Sequence, residues 1–93
     1  MKDVCIVSAL RTAVGSLGKS LKNVDAADLG SSVIVASLNK LSLGKDDVDE
    51  IILGQVLTGG TGQNPARQAS IKSGLSIKTP AFIVNQVCGS GIR

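Results

Sequence analysis

The stretch Pro80-Ala81-Phe82-Ile83-Val84-Asn85-Gln86-Val87-Cys88-Gly89-Ser90-Gly91 decides how the rest of the chain is read. An apolar run opens directly behind a proline and ends in the polar pair Asn85-Gln86, which predicts a short strand over 81–86. Its apolar residues are continuous rather than alternating. A strand of that kind is covered on both faces, as in a parallel sheet packed between helices. Behind it, Gly89-Ser90-Gly91 is where a fresh helix is expected to begin. Cys88 is thereby placed at the carboxyl end of a parallel strand, where ligands and reactive groups of open α/β sheets collect.

Upstream, Asn64-Pro65 combines a capping residue with the residue best tolerated at the first helical position. The helix it opens should run through Arg67, Ala69 and Ile71 and stop at Gly74. The loop Thr58-Gly59-Gly60-Thr61-Gly62-Gln63 lacks the spacing and lysine of a phosphate-binding loop, and reads as a tight turn feeding the Asn64 cap. Before it, Ile51-Ile52-Leu53 and Val56-Leu57 flank Gly54 in a strand expected over 50–57. Leu29, Val33 and Ala36, with Ile34, Leu38 and Leu41, recur at three- and four-residue spacings and predict a helix from Ala26 to Leu41. Asp25 is its expected N-cap, Asp28 favours its positive end, and Gly44 with Asp46-Asp47 should close it. The β-branched run Val4-Cys5-Ile6-Val7-Ser8-Ala9 reads as a first, buried strand. The order is β-α-β-α-β, an α/β arrangement of parallel strands with right-handed crossovers.

Composition agrees with a folded segment. Apolar residues make up 43% and charged residues 18% of 93 positions, outside the range of disordered chains. Phe82 is the one aromatic residue, so Val, Ile, Leu and Ala must build the core, and 11 glycines imply close backbone approach. The net charge of +3 is spread from Lys2 to Arg93 without a basic stripe, which gives nucleic-acid binding little support. No apolar run nears the roughly 20 residues of a membrane span. Lys2 followed at once by Asp3 is not a secretory signal, so a reducing, cytoplasmic setting without a Cys5–Cys88 disulfide is expected. Asp46, Asp47, Asp49 and Glu50 read as a solvated turn rather than a metal site. Arg67, beside Gln68, is expected to tie backbone carbonyls together with its several donors.

Cys88 is the residue with chemistry to offer. At a helix start it would face unpaired N–H groups and the positive end of the helix dipole, which favour the anionic sulfur. Glycines beside it leave the backbone open to a substrate. The same N–H groups, that of Cys88 included, can hold an oxyanion formed when sulfur attacks a carbonyl. Free cysteines are also commonly inert and buried, and the residues alone leave both readings standing. Cys5, inside its strand with no glycine near, reads as inert.

Asn85-Gln86-Val87-Cys88-Gly89-Ser90-Gly91 resembles the nucleophile motif of the thiolase family. Arg11-Thr12 with Gly15, Gly18 and Leu21 is similar to that family's first loop. Ile52-Leu53-Gly54 with Gly62-Gln63-Asn64-Pro65-Ala66-Arg67-Gln68-Ala69 is similar to its second strand, loop and helix. The matches keep the family's order across the chain and lie nearest its biosynthetic, acetyl-transferring subgroup. The resemblance implies that residues 1–93 are the opening part of an incomplete thiolase-fold half, ending where the helix after the nucleophile begins. It implies Cys88 as the carrier of an acyl-thioester. The reaction would join two acetyl-CoA molecules into acetoacetyl-CoA and free CoA, reversibly, as in fatty acid metabolism. Coenzyme A thioesters would be substrates, with no cofactor and no metal. The intact enzyme would be a homodimer or homotetramer.

The family's activating histidine has no counterpart, since the sequence contains no histidine. Its second, proton-shuttling cysteine belongs to a later segment, and Cys5 is wrongly placed to replace it. The 93 residues alone are therefore expected to show no turnover. Arg67 contacting a CoA phosphate is a minor alternative to its structural role. A ketoacyl synthase or hydroxymethylglutaryl-CoA synthase of the same fold, or a non-enzymatic interaction piece, are the competing readings.

Overall fold

In the computed structural model, which describes residues 2–93, two helices and two parallel strands meet in one apolar cluster. The elements are α1 (Ala26–Leu41), β1 (Ile51–Gly54), α2 (Pro65–Lys72) and β2 (Ala81–Val84). β1 and β2 pair in parallel, with Ile51 opposite Ala81 and Gly54 opposite Val84. The ladder is extended at both ends, by Ile51 N–H to the Pro80 carbonyl (2.9 Å) and Gln55 N–H to the Val84 carbonyl (3.0 Å).

The helices begin where the sequence places them. Asp25 caps α1 with extended backbone (φ −69°, ψ 151°), its carbonyl accepting from Asp28 and Leu29, while its side chain makes no capping bond. α1 ends earlier than Gly44: Ser42 takes the left-handed conformation (φ 53°), which lets Leu43 N–H reach the Leu38 carbonyl at 3.0 Å. Gly44 instead donates to Asp47 Oδ2 at 2.6 Å, so the acidic cluster is an exposed turn held by its own carboxylate. α2 starts with Pro65 at its first position and Asn64 Oδ1 accepting from Arg67 N–H at 3.1 Å. It stops at Gly74 (φ 76°), where Leu75 N–H returns to the Ser70 carbonyl at 3.2 Å. A side chain at Gly74 would be strained in that conformation.

Small residues let the two helices and the sheet come close. Ala27, Ala66 and Ala69 are buried. A Cβ added to Gly30 would lie 3.3 Å from Leu53 Cδ1 and 3.4 Å from the Ala69 methyl. Ile51, Ala66 and Leu75 form the cluster, with Ile34, Leu38, Val48, Leu53, Ala81 and Ile83 packed on it. The side chains of Ile52 and Phe82, paired in register on the other face of the sheet, are 51% and 42% exposed. The one aromatic residue therefore sits outside this cluster.

Two expectations are corrected. The strand expected over 4–9 does not form: those residues pair with nothing, and Val4 and Ile6 are more than 90% exposed. A strand needs partners for its backbone and its apolar faces. Here the helices cover only the Ile51 and Leu53 side of the sheet; within 4–9 Ser8 alone is partly buried, and Leu10 and Thr12 line a groove with Leu29, Val33 and Leu53. Cys5 is consequently exposed rather than buried. The remaining strands are also shorter than expected, 51–54 and 81–84, so the sheet has two strands and not three.

Arg67 ties the start of α2 to the approach of β2. Its guanidinium donates to the Thr79 carbonyl (3.0 Å) and the Ile77 carbonyl (2.9 Å), while Asn64 Nδ2 donates to the Ala81 carbonyl (3.0 Å). A planar guanidinium fork is pre-organised to hold two carbonyls at once, which a flexible lysine chain is not. Arg67→Ala should lower the stability of the natural full chain by about 2 kcal/mol in urea unfolding, with Arg67→Lys recovering less than half of the loss.

Between the helices, Lys72 Nζ donates to the Asp28 carboxylate, and both side chains are substantially exposed. That hydrogen bond, opposed by some desolvation and reinforced by the charges of Asp28 and Asp25, holds the Lys72 ammonium above its ordinary value of 10.5. A raised folded-state value means the stabilisation is fully present below 10.5 and is lost as pH climbs from there through the raised value. The thermal midpoint of Lys72→Gln should therefore lie slightly below that of the native protein at neutral pH. The gap should close above pH 10.5 and shrink in concentrated salt.

Candidate functional site

β2 delivers the chain to a tight elbow. Beyond Val84, Asn85 bonds in two directions: its Nδ2 donates to the Val56 carbonyl (3.2 Å) and its Oδ1 accepts from Val87 N–H (3.0 Å). The first bond anchors the elbow to the segment that leaves β1. The second orients the turn. Val87 is held at φ 53°, a conformation that β-branched residues rarely adopt.

Ser90 closes the elbow. Its hydroxyl oxygen accepts from Gln86 N–H at 2.9 Å, and its proton is donated to the Val87 carbonyl at 2.7 Å. Gly89 N–H reaches the Gln86 carbonyl (3.0 Å), Ser90 N–H the Val87 carbonyl (3.2 Å) and Ile92 N–H the Gly89 carbonyl (3.2 Å). Against the back of Ser90 stands Gly54, the last residue of β1, where an added Cβ would come within 2.8 Å of Ser90 Cβ. Cys88 stands on this elbow as a free, exposed thiol.

Residues 89–92, where the helix after Cys88 is expected to begin, make successive tight turns. The local N–H groups of Gly89, Ser90 and Ile92 are thus taken up within the turns.

The other candidates fall into place around this point. Arg67 spends both terminal nitrogens on backbone carbonyls, the scaffolding role its position implied. The loop at 58–63 is a turn feeding the cap: Thr61 Oγ1 donates to the Thr58 carbonyl (2.6 Å), and Gln68 Nε2 donates to the Thr61 (2.7 Å) and Gln63 (2.8 Å) carbonyls. Gly62 (φ 77°) also leaves room there, since a Cβ would stand 3.1 Å from Gln68 Nε2. Cys5, in the unpaired N-terminal segment, is as free and exposed as Cys88, so exposure alone does not distinguish them. Among the described residues, no three His, Cys, Asp or Glu side chains gather to hold a metal ion, and no helix is long and apolar enough to cross a membrane.

Sequence reasoning missed the roles of Asn85, Ser90 and Gly54. A glycine inside an apolar strand marks close backbone approach, and that signal was available at Gly54. The reciprocal bonds of Asn85 and Ser90 depend on the turn's geometry, which residue types alone do not disclose.

The thiolase N-terminal domain matches residues 4–93. The chain is 57% identical to an acetyl-CoA acetyltransferase of Chromobacterium violaceum, over 98% of this chain and 23% of that protein. It is 55% identical to the acetyl-CoA acetyltransferase of Cupriavidus necator and 52% identical to that of Escherichia coli, in each case over 100% of this chain and 24% of the relative. A crystal structure of a thiolase from Ascaris suum in complex with coenzyme A superposes with a TM-score of 0.78, at 36% identity, over 81% of this chain and 20% of that one. The chain thus spans about a quarter of the length of the curated relatives it matches. A domain match running almost end to end, whole-chain identity above one half and a shared backbone agree that this chain belongs to the thiolase family.

Proposed function

We propose that the natural full chain is an acetyl-CoA acetyltransferase in which Cys88 carries the acyl group. The observation behind this reading is the exposed Cys88 thiol on an elbow at the carboxyl end of a parallel strand, in a chain whose relatives bear that name. The Cys88 thiolate attacks the carbonyl carbon of acetyl-CoA. The bond from that carbon to the CoA sulfur breaks, CoA leaves and takes a proton, and the acetyl group remains on Cys88 Sγ. A second acetyl-CoA, deprotonated at its methyl carbon, attacks the new thioester. Acetoacetyl-CoA departs and the thiolate is regenerated.

Sulfur suits this exchange because one thioester replaces another, so the intermediate is neither a trap nor a summit. Splitting the condensation in two is what covalent catalysis contributes. The tetrahedral oxyanion would rest on backbone N–H groups at the elbow, with that of Cys88 the candidate from this chain. The base that activates the thiol, and the group that takes the methyl proton, would come from other segments, because this sequence has no histidine. Both cysteines are free thiols, which fits a reducing, cytoplasmic setting in which the nucleophile stays reduced. The half-exposed Ile52 and Phe82 and the bare apolar residues at 4–7 fit a protein that buries them by further chain or by self-association as a homodimer or homotetramer. The relatives' names favour this reading over a ketoacyl synthase, a hydroxymethylglutaryl-CoA synthase or a non-enzymatic piece.

Incubation of the natural full chain with radiolabelled acetyl-CoA tests the assignment. Native protein should retain covalent label after denaturation. Cys88→Ser should retain none, with condensation falling by roughly 10³-fold or more. Label that survives the substitution would contradict the reading.

A further inference from the structure

We propose that Ser90 is a positioning residue for acyl transfer, its hydroxyl fixing the elbow that aims Cys88. The inference rests on Cys88 being the nucleophile and concerns a residue that does not touch the reacting atoms.

Three observations carry it. The Ser90 hydroxyl bonds twice across the turn, accepting from Gln86 N–H (2.9 Å) and donating to the Val87 carbonyl (2.7 Å). These two groups bracket Val87, whose φ of 53° is disfavoured for a β-branched side chain and persists only where its surroundings enforce it. Cys88 follows Val87 directly, so relaxation of Val87 toward negative φ would swing the sulfur away from its present direction. Finally, Ser90 is itself seated: Gly54 at the end of β1 leaves a gap that Ser90 fills, the space between them too small for a methyl group. The sheet thereby holds Ser90, Ser90 holds Val87, and Val87 sets the direction of Cys88.

Asn85 supports the same turn from the other side through Val87 N–H, yet one of its two bonds belongs to Val56 and the sheet. Both bonds of the Ser90 hydroxyl go to the elbow. Ser90 is half-buried, whereas Cys88 is exposed.

The experiment compares native protein, Ser90→Ala and Cys88→Ser as natural full chains. Two rates are read for each: covalent acetylation from saturating acetyl-CoA, and alkylation of Cys88 by iodoacetamide across a pH series. A sulfur displaced by an ångström or less costs orientation with a large, bound substrate, yet matters little to a small reagent arriving from any side. Ser90→Ala should therefore slow acetylation by roughly 10- to 100-fold while its alkylation profile keeps the native shape and height within about 3-fold. Acetylation by Ser90→Ala at the native rate overturns the proposal. So does a loss accompanied by an equal change in alkylation, since that assigns Ser90 to packing alone. Cys88→Ser separates the two levels of the argument. Label retained there removes the nucleophile, whereas label lost there with Ser90→Ala unaffected removes only the positioning role.

Discussion

The parallel pairing of Ile51–Gly54 with Ala81–Val84 is the constraint from which the rest of this structure follows. Parallel strands cannot be joined by a hairpin, so the chain between them must cross over, and α2 is that crossover. Asn64 and Arg67 sit at its opening turn and bond to the carbonyls of Ile77, Thr79 and Ala81, which fixes the chain as it enters β2. The ladder then carries the strand past Val84 to Asn85, whose side chain is tied to Val56. Cys88 emerges at the far end of this series of bonds. Its place is set by the sheet, and its immediate direction by the strained turn at Val87.

Close packing without aromatic residues has a consistent physical basis here. Ala27, Gly30, Ala66 and Ala69 line the meeting of α1, α2 and β1, so the backbones approach until modest side chains fill the space. Small interiors of this kind bury less apolar surface per residue than cores with Phe or Trp, and polar ties have correspondingly more to do. Arg67 with two carbonyls, Gln68 with two more and Ser73 bridging to Ser31 and the Ala69 carbonyl are such ties. Each satisfies backbone groups that would otherwise cost free energy where water is scarce.

Much of this was legible in the residues because local signals and tertiary packing agree. Asn64-Pro65 opens a helix in any context, Gly74 ends one, and the spacing from Leu29 to Leu41 leaves one face for the sheet. The segment at 4–9 misled because a β-branched run states only that a strand is possible; a strand also needs cover for its apolar faces, and the Ile52 and Phe82 side of the sheet is bare in residues 2–93. At the site, the position of Cys88 could be read from a strand followed by glycines. The contributions of Gly54, Asn85 and Ser90 could not, because they arise from two segments meeting across a turn.

Both cysteines are free and exposed, so placement rather than accessibility sets Cys88 apart. The direct measurement is peptide mapping by mass spectrometry of the natural full chain, quenched with acid moments after mixing with acetyl-CoA. The elbow geometry predicts an acetyl group on the peptide that contains Cys88 and an unmodified Cys5. Acetyl found on Cys5 or another residue with Cys88 bare, or on no residue while product still forms, would contradict it.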